Sequence, residues 1–197
     1  MPLAMEKLLG IKDQKVLLDT NILIQATKAK TKEQRECLMS FCGQNTTYIC
    51  DTVYYEFLRH SNIRHFREKR AIIADWPKVD PMTDNQVLRE DESVRKIFEC
   101  LWTVYLYEMR KEPKRFIHVN TEDLWIASAA VHYKIDRILT TDHSGDFAPE
   151  LFNDQSFDLG ENLTVHLKTF RREQARKWWD EIQKAGEIRV ECNSIGK

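Results

Sequence analysis

The sequence predicts an α/β domain built on a mainly parallel sheet, and two observations carry that reading. Short apolar runs bounded by polar or turn residues, KVLL (15–18), TTYIC (46–50), RILTT (137–141) and LTVHL (163–167), read as buried strands. Between them the apolar spacing turns helical, and strands alternating with helices are the pattern of a parallel sheet joined by crossover helices.

Taken in order, KVLL is followed by a helical span, residues 22–42. TTYIC leads into DTVYYEFLRH, a helix that Asp51 or Thr52 can cap. Residues 86–112 read as one long helix, because Val87, Val94, Ile97, Phe98, Leu101, Trp102 and Tyr105 recur at the spacing of a single face. Pro77 and Pro81 in WPKVDPMTDN mark a loop before it. Residues 120–134, opened by Asn120 or Thr121, are apolar or small on most sides, as a helix pressed onto a sheet must be. From Phe170 onward, RREQARKWWDEIQKAG reads as a helix closed by Gly186, and EIRVEC as a short extra strand.

A chain of 197 residues fits one domain plus an appendage, taken as residues 1–169 and 170–197. Thirty basic against thirty-one acidic residues give a formal charge of −1, so any polyanion-binding surface is local. The five cysteines are odd in number and form no close pair of the kind that zinc or redox motifs use, which predicts buried free thiols in a reducing compartment. MPLAMEKLLGIKDQK lacks the apolar core of a signal peptide, and no window approaches the ~18 apolar residues of a membrane span. The expectation is a cytoplasmic protein with no membrane partner.

The chemistry lies in where the carboxylates fall. Ligands of a parallel α/β sheet bind beyond the carboxyl ends of its strands. Asp19 follows KVLL, and Asp142 follows RILTT. Glu56 lies in the second turn of the helix after TTYIC, and Asp123 lies in the first turn of the helix opened at Asn120. Four acids from four distant places thus sit at strand ends or early in helices, and one crevice can collect them. Close together they repel and raise one another's pKa unless a cation lies between them. The hard ions Mg²⁺ and Mn²⁺ suit such an all-oxygen set, and in phosphodiester hydrolysis they activate water and stabilise attacking and leaving oxygens.

These residues also match a family. VLLDTNILI, then Glu56 in TVYYEFLRH, then TEDLWIASAAVHYKIDRILTTD from Asp123 to Asp142, closely resemble the PIN-domain ribonucleases over about residues 15–169. The resemblance implies a three-layer α/β/α fold and an acidic Mg²⁺ or Mn²⁺ pocket that hydrolyses single-stranded or loop RNA. Carried over by position, Asp19, Glu56, Asp123 and Asp142 form the catalytic and metal-binding set, with Asp146 as a fifth metal ligand. Thr20, Asn21, Thr140 and Thr141 hold the acids or touch a phosphate, and Asn21 and Thr141 are assigned to substrate. The family further implies a toxin paired with an antitoxin protein, and a homodimer. Relative to the small toxin members, the chain carries a helical insertion around residues 76–115 and the tail after 170.

Taken singly, the acids have plainer roles. Asp19 can end a strand or cap a helix, Glu56 can pair with Arg59 or His60, Asp123 can complement a helix dipole, and Asp142 can be a turn residue. The ordered set of four disfavours all of these holding together. His143 reads as a solvated turn residue, and His60, His65 and His118 lack zinc-site spacing. Arg59, Arg64 and Arg67, with Lys69 and Arg70, can line the pocket mouth and hold RNA phosphates, or form an ordinary charged face. In the tail, packing of Trp178 and Trp179 onto the domain is favoured over nucleic-acid stacking. A haloacid-dehalogenase-like phosphatase needs a second acid where Asn21 stands, and a receiver domain needs acids and a Lys that cannot be placed. A catalytically silent PIN-like module that binds RNA or protein is the alternative of a different class.

Overall fold

The computed structural model describes residues 2–28, 30–59, 87–111, 120–142 and 151–184. Within them, helix α1 (Leu3–Leu9) precedes β1 (Lys15–Leu18), α2 (Thr20–Lys28), α3 (Lys32–Gln44), β2 (Thr46–Cys50) and α4 (Asp51–Arg59). Then come β3 (Val87–Leu88), α5 (Glu92–Lys111), α6 (Thr121–His132), β4 (Arg137–Thr140), β5 (Phe152–Asp158), β6 (Thr164–Phe170) and α7 (Arg172–Lys184). Six strands make one sheet in the order β3-β2-β1-β4-β6-β5. The pairs β3·β2, β2·β1 and β1·β4 are parallel, while β6 runs antiparallel to both β4 and β5. This is the mainly parallel α/β sheet that the strand and helix alternation predicts.

Val16, Leu17 and Leu18 of β1 are all fully buried, as a central strand covered on both faces requires. The chain runs from β1 outward to β2 and β3, then returns to the other side of β1 as β4. That reversal of strand order places the crevice of a doubly wound sheet at the carboxyl ends of β1 and β4. Register fixes the detail: Leu18 pairs with Leu139, so Asp19 and Thr140 come next, side by side. The Asp19 amide donates to the Leu139 carbonyl at 3.0 Å, which holds the strand end in place.

Several elements differ from the sequence reading. The helical span 22–42 is two helices, because Thr31 opens α3 with a capping box: its hydroxyl accepts from the Gln34 amide and the Gln34 side chain accepts from the Thr31 amide. The long helix 86–112 starts only at Glu92, since Asp91 caps it by accepting from the amides of Ser93 and Val94 at 2.8 and 3.1 Å. Val87 and Leu88 instead pair with Ile49 and Cys50 as strand β3. Phe152–Asp158 forms β5, a strand that no apolar run in the sequence marks. The WPKVDPMTDN loop and the EIRVEC strand lie outside the described residues.

Helix α6 is apolar on nearly all sides, with residues Asp123 to Val131 buried except for half-buried Trp125, as expected of a helix held against the sheet. Ala175, Trp178 and Trp179 of α7 join the common hydrophobic core. Cys37, Cys42 and Cys50 are buried free thiols, and burial raises the pKa of each. Cys100 is disulfide-bonded, which corrects the expectation of free thiols at that position. Among the described residues no helix is long and apolar enough to cross a membrane.

Candidate active site

Strand β1 ends on Asp19, whose side chain is almost wholly buried at 3% exposure. Three donors hold its carboxylate. Oδ1 accepts from the Thr20 amide at 2.6 Å, and Oδ2 accepts from the Asn21 amide group at 2.8 Å and the Thr140 hydroxyl at 2.6 Å. The short polar sequence after Asp19 therefore does work that apolar residues could not. Asn21 also accepts from the Thr141 amide through Oδ1 at 2.9 Å, tying the helix after β1 to the turn after β4. Thr140 accepts from the Asp142 amide at 3.0 Å, which turns the chain so that Asp142 follows the strand into the crevice.

Asp123 arrives from α6, where Asn120 caps the helix by accepting from the Glu122 amide at 3.3 Å. One carboxylate oxygen from each of Asp19, Asp123 and Asp142 lies within 4.8 Å of the others. Glu56 comes from α4 and accepts the Thr20 hydroxyl at 2.6 Å. All four principal acids line a single cavity of ≈350 Å³, together with Asn21, Asn120 and Glu122.

Of the other residues named from sequence, Asn21 and Thr141 bond to each other as described, so Asn21 acts on the acids as well as facing the cavity. Arg59 lines an adjoining cavity rather than the carboxylate pocket itself. Asp146, Arg64 and Arg67 lie outside the described residues. Glu122 was not singled out, although it lines both cavities. Its position one residue before Asp123 in the first turn of α6 was the available signal. Asp51 does not serve as a simple cap: its carboxylate accepts from Arg89 at 3.2 Å and from the Glu90 amide at 3.0 Å, clasping the segment after β3.

The electrostatics follow from the packing. Burial is the main force raising the Asp19 pKa from 3.8 to about 7. The Thr140 and Thr20 hydrogen bonds pull it down, and the charges of Asp142 and Glu56 push it up. An acid buried beside other acids keeps its proton near neutrality unless a cation displaces it. The donor set is oxygen only, three carboxylates are within reach of one point, and the most buried carries excess proton affinity. These residues fit a hard divalent cation.

The PIN domain family model matches residues 16–148, a stretch that takes in β1 to β4. The fold is that of a PIN-domain protein, and the chain belongs to the PIN-domain family, whose members are generally nucleases. Among solved structures it is similar to the crystal structure of VapBC2 from Rickettsia felis bound to a DNA fragment from their promoter. The identity is 17%, with 66% of this chain and 88% of that chain covered, at a TM-score of 0.46. No curated protein matches the chain.

Proposed function

We propose that the chain is a divalent-cation-dependent endoribonuclease that hydrolyses phosphodiester bonds of single-stranded or loop RNA. The observation that carries this is the convergence of Asp19, Asp123 and Asp142 within 4.8 Å, with Glu56 on the same cavity wall. Asp19, Asp123 and Asp142 would hold Mg²⁺ or Mn²⁺, with Glu56 acting directly or through water. When bound, such a cation supplies the charge that lowers the pKa of attacking water and stabilises the oxygens of the in-line displacement.

The chain's own contribution is placement. Thr20, Asn21 and Thr140 fix Asp19 in one orientation, and Thr20 at the same time fixes Glu56. Four backbone elements, β1, α4, α6 and β4, then present their acids without further ordering, so little reorganisation remains when substrate arrives. Glu56, on the wall of the same cavity, would accept a proton from the attacking water. Cleavage of the bond to the 3′ oxygen leaves a 5′-phosphate and a 3′-hydroxyl. Unpaired bases supply any sequence preference, because the grooves of duplex RNA hide base edges.

By family, we place the protein in the cytoplasm as the toxin component of a toxin–antitoxin pair, with an antitoxin protein as partner and a homodimer as its working state. The test is cleavage of a labelled, mixed single-stranded RNA in Mg²⁺ or Mn²⁺ against EDTA, wild type beside Asp19→Asn and Asp123→Asn. Cation-dependent cutting that both variants lose supports the nuclease. A folded wild type that cuts nothing under either cation supports the silent binding module instead.

A further inference from the structure

The carboxylate pocket opens into a second cavity of ≈740 Å³, within the range of small-molecule sites. Glu56 and Glu122 line both. We propose that this second cavity is a nucleobase subsite. In it, an unpaired base beside the scissile phosphate stacks against Trp125 and Tyr55 and offers an exocyclic amino group to Glu122. The inference rests on the nuclease reading above and deepens it.

Two aromatic side chains from facing helices carry the argument. Trp125 of α6 ends a preformed column: Phe98 stacks on it with centroids 4.3 Å apart and planes 12° apart, and Trp102 stacks on Phe98 at 6.2 Å and 7°. The column fixes the indole before any ligand arrives, so stacking a base on it costs little side-chain entropy. Tyr55 of α4 lines the same cavity with 55% of its surface exposed, although most large apolar side chains of this chain are buried. It contributes little to the core, and an exposed aromatic beside a phosphodiester-cutting site is suited to a base.

Charge decides which part of the nucleotide enters. Among the described residues, Asp51, Glu56, Glu90 and Glu122 line the cavity against one cation, Arg59. A phosphate is repelled by that wall, whereas a neutral base is not. Asp51 is engaged by Arg89, and Glu90 accepts the Thr52 amide and hydroxyl at 3.1 and 2.7 Å. Glu122 is exposed, and among the described residues its side chain accepts from the Thr121 hydroxyl through Oε2 at 3.0 Å, which leaves Oε1 to face a ligand. A carboxylate accepts the amino groups of adenine, cytosine or guanine but meets the carbonyl oxygens of uracil unfavourably. Arg59 then remains for the phosphate of the same nucleotide.

The experiment uses the full chain and a single-stranded RNA whose cut site has been mapped. Each nucleotide flanking the cut is replaced in turn by an abasic residue or by uridine. KM is read by cleavage in Mn²⁺, and Kd by anisotropy in Ca²⁺. We expect one position at which the abasic change raises KM and Kd at least about fivefold with a smaller change in kcat. Uridine at that position should fall between the abasic residue and the amino-bearing bases, because it stacks on Tyr55 and Trp125 but offers Glu122 no amino group. Tyr55→Leu, an exposed change that leaves the core intact, should erase the sensitivity; Trp125→Phe should weaken it, with its unfolding transition measured alongside. Glu122→Gln should narrow the gap between uridine and the amino-bearing bases. A flat abasic profile, or equal sensitivity in wild type and Tyr55→Leu, overturns the subsite. If no RNA is cut in Mg²⁺ or Mn²⁺, the abasic scan is run along the whole single-stranded RNA and read by anisotropy alone; base-sensitive binding that Tyr55→Leu abolishes then upholds the subsite and overturns the nuclease reading alone.

Discussion

The Thr20 hydroxyl donates to Glu56 Oε2 at 2.6 Å, joining the first residue of α2 to the second turn of α4 across the pocket. The same residue's amide donates to Asp19 Oδ1. One threonine thus positions two of the four principal acids. Thr20→Val keeps the shape and the amide but removes the hydroxyl. Cleavage should fall roughly 10- to 100-fold, the usual effect of losing a group that orients a metal-site acid. The loss should appear in kcat more than in KM, and Thr20→Ser should restore most of it. An unchanged kcat in Thr20→Val would remove Thr20 from any positioning role.

Thr140 occupies the corresponding place on β4. It donates to Asp19 Oδ2 and accepts from the Asp142 amide and the Asn21 side chain, the last at 3.1 Å, so its buried hydroxyl is the hub of the site. Thr140→Val leaves the partly buried Asp142 amide without this acceptor and Asp19 without a charge-assisted bond. Stability should drop by about 2 kcal/mol, and Mn²⁺ affinity by about tenfold or more. Urea unfolding and calorimetric Mn²⁺ titration measure the two separately. A variant as stable as wild type would contradict the hub.

How much of this was legible in the sequence differs from element to element. Strands β1, β2 and β4 were legible because central strands are buried on both faces and read as continuous apolar runs. β5 was not: FNDQSFD buries only its two phenylalanines and exposes the four residues between them, as an edge strand does, and its Asn and Asp residues disfavour the strand reading. Val87 fell on the apolar face of the following helix by spacing alone, and only its pairing with Ile49 assigns it to a strand. The break between α2 and α3 was written in Thr31-x-x-Gln34, a capping-box signature that the apolar periodicity around it obscured. The acids of the pocket could be named from order and spacing. The division of labour among Thr20, Asn21 and Thr140 could not, because it depends on strand register across more than a hundred residues.

The β5–β6 hairpin holds an ionic cluster away from the carboxylate pocket, in which buried Lys168 and His166 meet a partly exposed aspartate. Lys168, 1% exposed, lies opposite Asp154 in register with Nζ 3.6 Å from its carboxylate, and His166 Nδ1 lies 3.0 Å from the same oxygen. Removing Asp154 takes one anion from a buried ammonium. Asp154→Leu should therefore cost about 3 kcal/mol. Equilibrium unfolding reads this directly, and cleavage per folded molecule should stay unchanged. A change below about 0.5 kcal/mol would show that other groups neutralise Lys168.

The pH dependence of stability should run opposite to ordinary acid denaturation near neutrality. Asp19 has its pKa raised from 3.8 to about 7, chiefly by burial and secondarily by the Asp142 and Glu56 charges against two hydrogen bonds that lower it. Between those values the folded chain keeps a proton that the unfolded chain has released. Stability of the cation-free protein therefore falls as pH rises from about 4 to about 7, by up to ~1.4 kcal/mol per unit from this group, and levels off above. Below that window both states are protonated, so the slope vanishes and this group leaves stability at its highest. Urea unfolding in EDTA at pH 5.5, 6.5 and 7.5 should show wild type losing stability relative to Asp19→Asn, in which this titration is absent. Saturating Mn²⁺ should stabilise wild type most at the highest pH, where no proton competes for Asp19. Parallel profiles for the two proteins in EDTA would mean that Asp19 is already ionised in the folded chain, and the excess proton affinity used above to argue for a cation would then be absent.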